Sequence, residues 1–346
     1  MALLWIDGFD NYGVTAGAAP SPTGVLARKY GTVAQESAMR IYAGRLGGYC
    51  ISMYNGAFAL ASPVLTTDAT LVVGLALKYT NLGSSTGPFV RFDDGANWGM
   101  SVWLSTGGEL AVRNRSSAQL QITSGLELAA DSWYYIEFKV VCGATGSYSV
   151  YVDGVEVLSA TGVDTRATEG HDYCGTFRLY APNYSGATHY FDDLYCLDGT
   201  GSLNAPLGNC RVSTIRPDVA GDSAQFTPDT GDNYARVAET VCDDDTSYVE
   251  DSTSTHKDLY GYAALAGIVA NIKGVMVCTD CRETDATSFS IKTVCKSGAT
   301  ESDDTGLSVG STNYVTRRRV LEDDPNTTDP WDKDDLDAAQ FGVKVV

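Results

Sequence analysis

The sequence predicts an all-β protein, and three observations carry that reading. The run Trp133-Tyr-Tyr-Ile-Glu-Phe-Lys-Val-Val141 alternates, with Tyr134, Ile136, Phe138 and Val140 on one face and Trp133, Glu137 and Lys139 on the other. That period of two marks a strand with one face in a core. Tyr148–Val157 then reads as two strands joined by Asp153-Gly154, a dipeptide that tolerates positive φ at both positions of a two-residue type I′ turn. Finally, Gly (36 residues) and Tyr (20 residues) are abundant while charged residues make up only 19%, as short strands with many turns require.

The elements follow in order. Leu3-Leu-Trp-Ile-Asp-Gly-Phe-Asp10 opens the chain as a strand and leads into a Gly/Ala/Pro-rich loop. Strands are expected at Arg40–Tyr42, Ser52–Met53, Thr70–Tyr79, Pro88–Phe92, Gly99–Leu104, Glu109–Arg113 and Gln119–Ile122. The meander comes next, followed by Thr176–Tyr180 and His189–Leu197. More than ten short strands with turn signals between them indicate a sandwich or jelly roll. The polar, turn-rich stretch Leu197–Gly208 places a boundary near Ala205. This gives a jelly roll over 1–205 and a smaller antiparallel β-sandwich over 206–346. In the second part strands are expected at Asn209–Pro217, Lys257–Tyr262, Ile272–Arg282, Ser288–Lys296, Tyr314–Leu321 and Ala339–Val346. Asp329-Pro330-Trp331 predicts a helical turn, with Asp as N-cap and Pro at the first helical position.

The formal charge of −19 is spread over both parts, with 18 acidic and 11 basic residues up to Ala205 and 25 and 13 beyond it. A nucleic-acid binder needs a basic groove to displace counterions, and the chain offers none. Arg317-Arg318-Arg319 lies in a strand, so only Arg317 and Arg319 share a side, and a salt-bridging surface is expected. No segment has the apolar length of a membrane span. The N-terminus lacks a basic region before its apolar residues and reads as neither a leader nor an export signal.

The candidates for chemistry are few. His171, His189 and His256 have no neighbour at ligand spacing and read as structural or surface residues. Nine cysteines are an odd number, most of them expected as buried free thiols. Cys278, Cys281 and Cys295 are the candidates for a disulfide or a bond between chains. The Cys278/Cys281 pair resembles a metal knuckle without a second pair, and residues three apart on a strand face opposite ways. The Glu-x-Asp-x-x-Glu pattern of jelly-roll glucanases is absent around Glu127, Glu137 and Glu156. Asp192-Asp193 reads as one turn or ion carboxylate and one solvent carboxylate. Acidic loops at Asp93-Asp94, Asp243–Asp245, Asp303-Asp304 and Asp323-Asp324 are the only places where Ca²⁺ would be held; otherwise no cofactor is expected. Trp98, Trp103 and Trp133 would stack on sugars if exposed, with core packing the expectation for most of them.

The opening Leu4-Trp-Ile-Asp-Gly-Phe-Asp10, the Trp133–Val157 meander and Phe191-Asp-Asp-Leu-Tyr-Cys-Leu-Asp198 resemble the concanavalin A-like, LamG-type jelly roll, in which the first strand lies beside the last. The whole chain resembles a family of tailed-bacteriophage virion structural proteins. The second half carries that likeness in Val212–Asp218, Ala220–Ser223, Phe226–Pro228, Asp243–Val249 and Phe341–Val345. The resemblance implies a non-enzymatic particle component, assembled in a host cytoplasm and displayed on a tail, baseplate or capsid. Its partners would be other virion proteins and copies of itself, with neither nucleic acid nor membrane. Phe341, Val343 and Val345 mark a strand that either closes the second sandwich or pairs with a neighbour during assembly. The alternative is a carbohydrate-binding module for host-surface glycans, which requires a sheet face lined with exposed Trp or Tyr.

Overall fold

The computed structural model describes residues 2–54, 59–81, 87–181, 186–267, 271–285 and 289–346. The expected strand start at Ser288 lies outside them. The chain is all-β apart from short helical turns, and it divides into two units, Met1–Val212 and Ser213–Val346.

The first unit pairs two antiparallel sheets. One runs in the order Val155–Val163, Gly146–Val152, Tyr134–Val141, Thr70–Tyr79, Thr188–Asp198, Tyr49–Tyr54, Arg40–Ala43, with Leu3–Asp7 also on Thr188–Asp198. The other runs Gln119–Ile122, Leu110–Arg113, Trp98–Leu104, Gly87–Asp93, Thr176–Tyr180, Ala59–Ala61, Thr32–Val33. Phe92 of the second sheet stacks on Phe138 of the first with ring centroids 4.8 Å apart, and Trp5 meets Phe177 edge-on at 5.9 Å. Those aromatic contacts across the interior define a sandwich core. The first strand does lie beside the last, with Trp5 opposite Cys196 and Asp7 opposite Leu194. The hairpin turn is as expected, with φ of 49° at Asp153 and 82° at Gly154, and Val152 paired with Val155.

Three details of this unit depart from the alternating pattern. Thr188–Asp198 changes partner midway, pairing with Tyr49–Tyr54 up to Phe191 and with Leu3–Asp7 from Leu194. The switch is a bulge at Asp193, where φ is +49° and the register against Thr70–Tyr79 slips. Beyond the bulge the Tyr195 ring lies across Gly74; a Cβ there would fall 2.1 Å from the ring, so only glycine fits. Third, the outward face of Tyr134–Val141 is not solvated: Tyr135 and Glu137 are buried. The segment after the last strand covers them. Gly208 N donates to Glu137 at 2.9 Å, Leu207 N donates to the Tyr195 hydroxyl, and Tyr195 donates to Glu137. Residues 206–212 therefore belong to the first unit, and the boundary expected near Ala205 falls at Val212–Ser213.

The second unit is built on a sheet ordered Pro217–Ala224, Lys257–Tyr262, Gln340–Val345, Ser290–Ser297, Thr300–Asp303, with Leu307–Ser308 also on Ser290–Ser297. It is joined by a two-stranded ribbon, Val275–Cys281 with Val315–Leu321, a short pair, Thr227–Pro228 with Val249–Glu250, and the short helix Lys333–Ala338. Val277, Cys295, Leu321, Trp331, Leu336 and Phe341 form its core. Phe341, Val343 and Val345 sit in a strand hydrogen-bonded on both sides, to Lys257–Tyr262 and to Ser290–Ser297. The strand lies inside its own sheet, the first of its two expected roles, and has no backbone edge left for a neighbour. One edge is Pro217–Ala224, a strand of small and polar residues that starts on proline, and the other is Thr300–Asp303 with Leu307–Ser308. The helix also differs from expectation: Asp332, not Asp329, is the N-cap and accepts from Asp335 N at 2.7 Å, because Pro330 is held in a bridge to Asp323. Arg317 and Arg319 share a side, and among the described residues neither forms a salt bridge. They donate to the carbonyls of Ser308, Val309, Thr293 and Ser302 and so tie the ribbon to the sheet.

Candidate functional site

The outward face of the seven-stranded sheet carries a row of arginines flanked by tryptophans. Strand register builds it: Ala61 pairs with Arg178, Arg178 with Arg91, Arg91 with Ser101, Ser101 with Arg113, and Arg113 with Gln119. Cross-strand partners project from the same face, so these six residues form one row across the sheet. Three of them are guanidinium groups, and the stretch from Arg178 to Arg113 spans about 14 Å at the usual strand spacing.

Asp93 organises one end of the row. Arg91 donates to it twice, at 2.5 Å and 2.8 Å, and Arg178 donates at 2.5 Å. One carboxylate thus faces two guanidinium groups, which leaves a local excess of positive charge on an acidic protein. Arg91 is only 2% exposed, and its Nη1 has no hydrogen-bond partner. Trp98 lies over that guanidinium at 3.9 Å and Tyr180 lies near it at 4.9 Å. The other side of Trp98 is open, with 54% of the residue exposed. Further along the row Arg113 lies 4.0 Å from the Trp103 ring, whose indole N–H donates to Ser101 Oγ at 2.8 Å. Arg113 Nε is likewise buried without a partner. Trp98, Trp103 and Trp133 are therefore all outside the core, contrary to the expectation for most of them; Trp133 sits beside Lys78.

The residues singled out from sequence are dispersed. Cys278 faces outward and Cys281 inward on the same strand, as residues three apart must. Cys295 is part of the second core, and burial pushes both Cys281 and Cys295 up to about 12. Among the described residues none of the nine cysteines forms a disulfide. The thiols that do come together are Cys142 and Cys174, which sequence spacing does not reveal. They share a hydrogen bond that draws Cys142 down and, with burial, holds Cys174 well above the usual thiol range. Asp192 and Asp193 are both buried, so neither is a solvent carboxylate. Because the bulge breaks alternation, both turn to Arg45: its backbone N donates to Asp192 at 2.7 Å and its Nε to Asp193 at 2.8 Å. Burial and the charge of Asp193 push the Asp192 carboxyl up to about 8.

The acidic loops hold protein donors. Asp94 accepts from Ala96 N, Asn97 N and His171, and those bonds keep its carboxyl well below the ordinary range against the opposing effect of burial. Asp243 accepts from Ser247, Asp245 from Arg282, Asp303 from Lys344, and Asp324 from Asn326 N. Among the described residues no three His, Cys, Asp or Glu side chains converge as a metal site. No described helix is long and apolar enough to cross a membrane.

His189 is fully buried against Phe191, with Nδ1 3.2 Å from the Tyr180 carbonyl and no partner at Nε2. Burial lowers its pKa to about 4. Relative to an unfolded value near 6.5, this group's stability contribution is complete above about pH 6.5 and is lost as pH falls toward 4, a change of about 3 kcal/mol. His189→Phe should flatten that part of the acid limb in urea titrations of the first unit. An unchanged pH slope would contradict the neutral, buried imidazole.

No protein-family model and no curated protein matches the chain. Solved structures similar to it include an endo-β-1,4-glucuronan lyase from Trichoderma reesei (12% identity, TM-score 0.37, 53% of this chain and 94% of that one). Alginate lyase Aly36B is also similar (12%, 0.39, 55% and 95%), as is the binding domain of Paraclostridial Mosquitocidal Protein 1 (11%, 0.40, 57% and 49%).

Proposed function

We propose that the chain is a non-enzymatic structural component of a tailed-phage virion, displayed on the outer surface of the tail, baseplate or capsid. It docks through β-surfaces to other virion proteins and to copies of itself. The supporting observation is that the segments resembling that virion family serve the framework of the second unit. Phe341–Val345 lies in its central strand, Phe226 N donates to the buried Asp258, and Arg216 donates to the Glu239 and Thr240 carbonyls. Buried carboxylates in the first unit are likewise committed to the fold: Asp7 to two tyrosines and Lys29, Glu137 to Tyr195 and Gly208, Asp193 to Arg45 and Val212. Such fixed groups favour a scaffold over general acid–base work. Mass spectrometry of gradient-purified particles should find the chain in a fixed ratio to the major virion proteins, and antibodies to it should bind intact particles. Particles without it would contradict the proposal.

A second reading, recognition of host-surface glycans by the first unit, is favoured by the exposed Trp98 beside the arginine row. The two readings are compatible, since a protein on the particle exterior can also bind the surface it meets.

A further inference from the structure

We propose that the outward face of the seven-stranded sheet binds an acidic saccharide, with carboxylates pairing to the row of guanidinium groups and sugar C–H faces lying on Trp98 and Trp103. The inference rests on the glycan-recognition reading and gives it a ligand class. Its starting point is Arg91. A guanidinium that is 98% buried normally has every N–H satisfied, and an orphaned one costs about 1–3 kcal/mol. Arg91 Nη1 and Arg113 Nε are both orphaned on the same face, two strands apart in one register. Each is paired with an indole that shields it. The arrangement supplies planar donors and apolar plates side by side, which matches a ring bearing a carboxylate on one edge and C–H bonds on its face.

The charge balance narrows the ligand further. Asp93 offsets part of the positive charge of Arg91 and Arg178, and the chain as a whole carries −19. A dense polyanion such as nucleic acid would place many charges against that negative field and displace few counterions. A saccharide with about one carboxylate per ring would pair with the row without that repulsion. Neutral sugars would leave the buried donors with only hydroxyl acceptors, which make weaker hydrogen bonds than charged ones.

The test is calorimetric titration of the full chain with galacturonate, glucuronate and sialate oligomers, methyl-esterified galacturonate, a neutral glucan oligomer and oligo-deoxythymidine. At least one acidic oligomer should bind. Its affinity should fall with added salt, and W98A and R113Q should each weaken it at least tenfold. Trp98 is exposed and Arg113 half-buried, and circular dichroism should show the fold retained in both variants. R91M, at a buried position, is checked the same way and read only if folded. The ester should bind at least tenfold more weakly than the free acid. Equal binding of acid and ester, or binding of the neutral glucan alone, would overturn the acidic ligand while leaving glycan recognition standing. Failure of every saccharide would overturn both. Preference for oligo-deoxythymidine, or acid binding indifferent to W98A and R113Q, would overturn this face as the site. Detection of the chain in particles is independent of all these outcomes.

Discussion

Asp7→Ala should lower the stability of the first unit by about 3–5 kcal/mol, the cost of leaving a buried charge without its partner. Asp7 is almost completely buried and accepts from Phe9 N at 2.9 Å and from the Tyr12 and Tyr30 hydroxyls at 2.7 Å each. Lys29 Nζ lies 3.0 Å away, donates to the Ile6 carbonyl and sits 5.3 Å from the Trp5 ring. Removing the carboxylate leaves a buried ammonium and two phenols to find other acceptors. It also frees the amide of Phe9, a bulky residue held at φ +57°. The midpoint of thermal unfolding should fall by roughly 10 °C. D7N should lose less, because the amide keeps the volume and one acceptor, and adding K29M to D7N should recover part of the loss. A loss under about 1 kcal/mol for the alanine variant would contradict this account of the cluster.

The second large effect is expected at Asp258 in the other unit. Its fully buried carboxylate collects Gln225 N at 2.6 Å, Phe226 N at 2.8 Å, Asn233 Nδ2 at 2.6 Å and the Tyr260 hydroxyl at 3.0 Å. The first three tie the segment after the edge strand to Lys257–Tyr262, so one side chain holds that edge in place. Each orphaned donor costs about 1–3 kcal/mol, less where water can reach it, giving about 3–5 kcal/mol for Asp258→Ala. Hydrogen exchange should show Pro217–Ala224 and the Asn233–Arg236 turn losing protection first, with Gln340–Val345 retaining it. Uniform loss across the unit would mean that Asp258 supports the whole sheet and not its edge.

The strands legible in the sequence are those with a continuous apolar run or with apolar residues at period two. Thr70–Tyr79, Gln119–Ile122 and the meander need no tertiary information, and Asp153-Gly154 announces its turn. Ala59–Ala61 and Pro217–Ala224 do not read as strands because their small residues carry little β preference; partners on neighbouring strands hold them extended. Tyr135 and Glu137 look solvent-facing until the polar segment 206–212 covers them. The bulge at Asp193 defeats the alternation argument for Asp192-Asp193, since a single positive φ turns both carboxylates to Arg45.

The arginine row was hidden for a different reason. Arg91, Arg113 and Arg178 are far apart along the chain and meet only through strand register, which depends on the whole topology. What could be read was the set of tryptophans. Their placement outside the core is visible only once Phe92, Phe138, Trp5 and Phe177 are seen to fill the interior. The same holds for Cys142 and Cys174, whereas the Cys278/Cys281 spacing draws attention to thiols that point apart.

An image reconstruction of intact particles tests the central proposal most directly. The account predicts repeated density on the particle exterior that fits both the two-sheet unit Met1–Val212 and the unit Ser213–Val346, with the Trp98 face turned away from the particle. Well-resolved particles with no density for either unit would contradict it.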